Sequence, residues 1–156
     1  MKPEIGINEK HLHKTIGQLS IILSDEMTLY IKTRKFHWNV AGESFMELHK
    51  LFQSQYTELE ETIDSVAERI GKLGGKTIST MKEFAHLTRL KEHPDEYPSQ
   101  KEMLKELLTD HEIVIVEFRK IIEEESAAKD AGTTDFLTGI MQQHETTAWV
   151  LRRYLN

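Results

Sequence analysis

From Phe45 to Leu73 an apolar residue recurs at every third or fourth position: Phe45, Leu48, Phe52, Tyr56, Leu59, Ile63, Val66, Ile70 and Leu73. That is the period of one helix face, and no proline interrupts it. A helix of thirty residues is about 45 Å long, and this one must bury its stripe along its whole length. Three further stripes of similar length can cover it. Residues 9–37 carry Leu12, Ile16, Leu19, Leu23, Met27 and Tyr30. A third helix is expected from Ser99 to residue 126, with Leu104, Leu107, His111, Val114, Phe118 and Ile121. A fourth is expected from Thr133 on, with Leu137, Ile140, His144, Ala148, Leu151 and Leu155.

Four long amphipathic helices in a chain of 156 residues imply an all-α four-helix bundle in one domain, 1–156, with 1–8 as a short N-terminal tail. The connections specify which bundle. "NVAGES" and "AAKDAGT" are short, so helices one and two, and helices three and four, are antiparallel hairpins. Helices two and three are joined by "GGKTISTMKEFAHLTRLKEHPDEYP". That is enough chain to return along the bundle if it holds only a short helix. Thr80 and Glu83 form a capping box for such a helix at 81–90, and Ser99 and Glu102 form another for helix three. The glycines of "LGG" suit a left-handed cap at the end of helix two. One long crossover is the ferritin-like arrangement.

Composition narrows the function classes. With zero cysteines there is neither a disulfide framework nor a thiolate metal site. No apolar run approaches the length of a membrane span, and the opening "MKPEIGINEKHLHKTIG" is too polar for a signal peptide, so a cytoplasmic location is expected. The net charge of −6 argues against tight binding of nucleic-acid phosphates and suits the handling of cations.

Two histidines, His37 and His49, flank the first bend, and Asp64 and Glu68 lie one turn apart on helix two. His49, Gln53, Glu60, Asp64 and Glu68 form a polar flank beside the core stripe; acidic residues alone there would read as a solvated face. With histidines present, a metal centre is the alternative. Length then matters, because His49 and Asp64 are fifteen positions apart on one rod, or about 22 Å. Metal ligands lie about 2 Å from their ion, so the two cannot share an ion within one chain. If two copies of helix two cross antiparallel about a twofold axis near Tyr56 and Thr57, His49 of one faces Asp64 of the other. An intrachain di-iron centre would need a Glu-x-x-His pair on two helices; the one such pair, Glu83 and His86, falls in the crossover. His111 and His144 lie in core stripes and are expected to be buried and hydrogen-bonded. His11 and His13 are expected at a solvated helix start, with an adventitious metal as the lesser alternative.

"FHWNVAGESFMELHKLFQSQYTELEETIDSVAERIGKLGG" resembles the central motif of the Dps family, the mini-ferritins or DNA-binding proteins from starved cells, and "TTDFLTGIMQQHETTAWVLRRYL" is similar to that family's last helix. The resemblance implies a twelve-subunit shell built from twofold dimers, which oxidises ferrous iron at dimer interfaces, stores ferric mineral and protects against oxidative stress. Hydrogen peroxide is the oxidant it implies. His37, His49, Asp64 and Glu68 occupy the family's ligand positions, with Glu68 the candidate bridge and Asp64 a terminal ligand; Trp38 matches an aromatic residue beside the centre. Zinc or another divalent ion is expected to fit the same site in a crystal. Gln53 stands where the family commonly has an acidic residue, so the second iron position is expected to be weak. The N-terminal "MKPEIGIN" lacks the lysine-rich tail of family members that bind DNA. Ferroxidase activity is therefore expected ahead of the alternative, a nucleoid DNA-compacting protein. Asp130 and Asp135, in "EEESAAKDAGTTD", are expected to line an ion-entry pore.

Overall fold

The computed structural model describes residues 3–156; Met1 and Lys2, the start of the expected tail, lie outside the described residues. Among the described residues the chain is all helix: α1 Glu9–Asn39, α2 Phe45–Lys72, α3 Met81–Leu87, α4 Gln100–Ala127 and α5 Ala131–Leu155. The two hairpins, α1–α2 and α4–α5, pack together, and the long crossover containing α3 joins them across α1.

Each boundary has a local cause. Asn8 caps α1 by accepting from the His11 amide at 2.9 Å. Both expected capping boxes are present, Thr80 with Glu83 and Ser99 with Glu102. Hydrogen bonds to their oxygens hold both glutamates below the ordinary carboxylate range: three for Glu83, from the Thr80 hydroxyl and the Ser79 and Thr80 amides, and two for Glu102, from the Ser99 amide and hydroxyl. Gly74, at φ +84°, closes α2 in the left-handed region, as "LGG" suggested. α5 begins two residues before the expected Thr133, because Asp130 is its cap. α3 is a turn shorter than expected and stops at Leu87.

The core is filled by Leu19, Ile22, Leu23 and Leu29 of α1, Leu48, Phe52, Val66 and Ile70 of α2, Leu107, Val114 and Phe118 of α4, and Leu137 and Leu151 of α5. α1 is enclosed by α2, α3 and α4, so it also buries polar residues. Ser20, Ser24, Thr28 and Thr33 each satisfy their hydroxyl by donating to the carbonyl four residues back, at 2.8 Å. Lys32 is buried but paired, 2.8 Å from Glu106, 2.5 Å from Asp110 and donating to the Lys91 carbonyl at 2.7 Å. It thereby ties α1, α4 and the crossover together.

The stripe read on α2 needs a shift. Phe45 is exposed and Tyr56 and Ile63 are half-buried, while Gln55 and Thr62 face inward. No described helix is long and apolar enough to cross a membrane.

Candidate metal centre

The bend between α1 and α2 is five residues long, with Gly42 at φ +114°. It folds the last turn of α1 against the first turn of α2 and brings His37 and His49 together. Their rings stack with centroids 3.7 Å apart and planes 21° from parallel. Each ring nitrogen Nδ1 meets the other residue's backbone carbonyl, His37 to His49 at 2.8 Å and His49 to His37 at 2.9 Å. A carbonyl only accepts, so both imidazoles carry their proton on Nδ1 and leave the Nε2 lone pair free. That second-sphere bond to a carbonyl is what a metal-ligating histidine uses to fix its tautomer. The two lone pairs do not aim at one point: an ion in one ring's plane is well out of the other's, given the 21° tilt. Each ring therefore presents one free nitrogen, Nε2.

Around the histidines lies an aromatic cluster that periodicity had assigned to the core stripe. Tyr56 meets His37 edge-on at 5.2 Å and Tyr30 at 6.1 Å. The Arg34 guanidinium sits 4.5 Å from the Tyr56 ring centre, 5.3 Å from Tyr30 and 5.5 Å from Trp38, and Nη1 donates to the Tyr30 hydroxyl. Trp38 itself is exposed. Arg34 puts a positive charge on the Tyr56 ring that packs against His37, and sequence spacing gave no reason to weigh it.

Asp64 and Glu68 are on the same unbroken α2 as His49, so about 22 Å separates His49 from Asp64. Both carboxylates are exposed, and Glu68 pairs with Lys72 at 3.0 Å. Asp64, with Glu60, Glu61 and Thr57, lines an open groove against Met27 and Tyr30 of about 660 Å³. The four expected ligands therefore form two separate pairs in one chain. Gln53 is exposed one turn beyond His49.

His111 and His144 are buried and bonded through their Nδ1 atoms at 2.8 Å, and His144 Nε2 meets Glu26 at 2.8 Å. Burial, and then the neighbouring His144, hold His111 well below the ordinary histidine range. Of the two residues expected in a pore, Asp135 is exposed but Asp130 is not. Its carboxylate is buried, accepts from the Thr133 amide at 2.9 Å and hydroxyl at 2.7 Å, and lies 3.6 Å from Arg69. Asp130 is thus the α5 cap, and of the two residues only Asp135 faces outward in the single chain. His11 is likewise not solvated; its Nε2 bonds to Glu125, 114 positions away, at 2.7 Å.

A family model described as a ferritin-like domain matches residues 16–156. The chain is 38% identical over 144 residues to DNA protection during starvation protein 2 of Bacillus anthracis, covering 92% of this chain and 97% of that protein. It is 40% identical over 152 residues to an uncharacterized low temperature-induced protein of Nostoc sp., covering 97% of this chain and 85% of that one. Among solved structures it is similar to the Dps protein of Vibrio cholerae O1, described as a member of a broad superfamily of ferritin-like diiron-carboxylate proteins. The TM-score there is 0.94 at 28% identity, over 99% of this chain and 97% of that one. DpsC from Streptomyces coelicolor superposes with a TM-score of 0.96 at 28% identity, over 100% and 91%.

Proposed function

Since the chain belongs to the Dps family of ferritin-like proteins, we propose that it is a cytoplasmic ferroxidase and iron store whose centres form between two subunits. Ferrous iron is its substrate and hydrogen peroxide its oxidant. The observation that carries this reading is the His37–His49 pair, two stacked imidazoles each locked in the tautomer that frees Nε2. In a twofold dimer with antiparallel α2 helices, Asp64 and Glu68 of the second copy meet this pair. Two neutral nitrogens and two carboxylates bind Fe²⁺, and the carboxylate oxygens favour the harder Fe³⁺ once an electron has left.

The stacking distance suits two ions side by side, since paired-metal sites hold their ions about 3.5–4 Å apart. Two ferrous ions then supply the two electrons that reduce one peroxide, with two protons, to two waters. No hydroxyl radical is released in that stoichiometry. His37 and Asp64 hold the first ion and Glu68 bridges to the second, which His49 holds with the neutral Gln53 beside it, so this ion is weakly held and enters with the oxidant. Ferrous iron enters a twelve-subunit shell through openings that Asp135 helps line, and the ferric product moves from the centres to the mineral inside.

The test is ferric absorbance after addition of Fe²⁺ and peroxide. Rapid oxidation is expected in the unmodified protein, with loss in His37→Ala and in Asp64→Ala. Unchanged rates in both variants would refute the reading.

A further inference from the structure

Away from the His37–His49 pair, three other potential ligands converge inside a single chain. One atom from each of His11, Glu125 and Asp130 lies within 4.8 Å of the other two. They come from the first turn of α1, the last turn of α4 and the cap of α5, so no local repeat explains their meeting. Glu125 has no exposure to solvent, Asp130 is 4% exposed and His11 is half-buried.

The charges at this joint do not close by themselves. Two carboxylates are buried together, and buried carboxylates need compensation. Arg69 reaches Asp130, at 3.6 Å. Lys14 is committed to the outward-facing Glu124 at 2.8 Å, and Gln18 donates to that same residue at 2.6 Å, so neither serves Glu125. The remaining negative charge is met through His11 Nε2, 2.7 Å from Glu125 Oε2. Either a proton or a metal ion can occupy that position. Thr15 donates to Glu125 Oε1 at 2.9 Å and so turns Oε2 toward His11, while Thr133 fixes the Asp130 carboxylate from its other side.

We propose that His11, Glu125 and Asp130 form a divalent-cation site that fastens the start of α1 to the α4–α5 turn. One imidazole and two carboxylates suit Zn²⁺, Mn²⁺ or Fe²⁺. Ligand atoms around a tetrahedral zinc are about 3.3 Å apart, so the site closes by side-chain rotation as the ion enters. The bound ion joins three helix ends in each subunit and raises the thermal stability of the assembled protein. The site stands whether or not the His37–His49 pair oxidises iron.

Two measurements with Zn²⁺ test this. Crystals of the unmodified protein grown with ZnCl₂ should give a zinc-edge anomalous peak bounded by His11, Glu125 and Asp130. The absence of a peak there would overturn the proposal. Calorimetric titration of Zn²⁺ into the His37→Ala/His49→Ala protein, whose main centre is disabled, should retain about one ion per chain and a zinc-dependent rise in Tm. Adding Glu125→Gln should weaken that binding at least about tenfold and remove the rise; His11→Ala should do the same. His13→Ala, on the exposed side of the same turn, should leave both intact. Binding that survives Glu125→Gln and His11→Ala, or that is lost with His13→Ala alone, would assign the zinc to the surface and refute the site.

Discussion

Asp25 is where the long crossover is fastened to the bundle, and removing it should loosen the fold in a calculable way. It sits on α1 at 1% exposure. Its Oδ1 accepts from the Thr88 hydroxyl at 3.0 Å and the Arg89 amide at 2.7 Å. Its Oδ2 accepts from Arg89 Nε at 2.7 Å and also from Nη2. Asp25→Ala strips all four donors of their acceptor. Removing one partner of a buried ion pair costs about 3–5 kcal/mol. Arg89 keeps Glu117 at 2.9 Å and remains 28% exposed, which places the loss near the lower end, about 3 kcal/mol. At about 2–4 °C per kcal/mol for a chain of this size, Tm should fall by about 6–12 °C. Asp25→Asn keeps an acceptor for Thr88 and the Arg89 amide but loses the charge, and should lose about half as much. Circular dichroism melts at matched protein concentration, with urea titrations alongside, measure both variants. A loss below about 1 kcal/mol in Asp25→Ala would refute the view that this ion pair holds the crossover.

Three further outcomes follow from other parts of the molecule. Burial keeps His111 neutral in the fold, whereas the unfolded chain takes up a proton near pH 6.5; stability is therefore fully present above that pH and lost as pH falls below it. His111→Gln should flatten the stability–pH curve below pH 6.5 by up to about 1.4 kcal/mol per pH unit, and unchanged slopes would contradict this. Gln53→Glu supplies the missing charge beside His49, and anaerobic Fe²⁺ titration should rise from about one to about two tightly held ions per centre; an unchanged stoichiometry would show that Gln53 is not what limits the second ion. With a net charge of −6, the protein should not retard duplex DNA in a low-salt gel, and a salt-dependent shift would favour nucleoid binding instead.

The features legible in the sequence are those written in local spacing. Capping boxes act over three residues, so Thr80 and Ser99 announced their helices correctly. The His37–His49 meeting was legible because a short bend leaves the two histidines nowhere else to go. Phase was less secure: with 3.6 residues per turn, a stripe counted in threes and fours can drift by one position. That is why Gln55 and Thr62 face the core while Phe45 does not. Pairings set by the way α1 lies across the α4–α5 turn were invisible. Nothing near His11 in the sequence points to Glu125, and nothing in "AAKDAGT" shows that Asp130 turns inward to cap α5. Arg34 was passed over because cationic stacking on Tyr30 and Tyr56 has no spacing rule strong enough to notice.

The centre's division between two chains can be measured directly by mixing inactive partners. One variant, His37→Ala/His49→Ala, lacks the imidazoles; the other, Asp64→Ala/Glu68→Ala, lacks the carboxylates. Co-refolded in equal amounts, half of the dimers are mixed, and each mixed dimer has one intact centre and one that lacks everything. About one quarter of the unmodified ferroxidase rate should therefore return, from two proteins that are each inactive alone. If the mixture stays as inactive as its components, imidazole and carboxylate must come from the same chain, and the intersubunit centre is wrong.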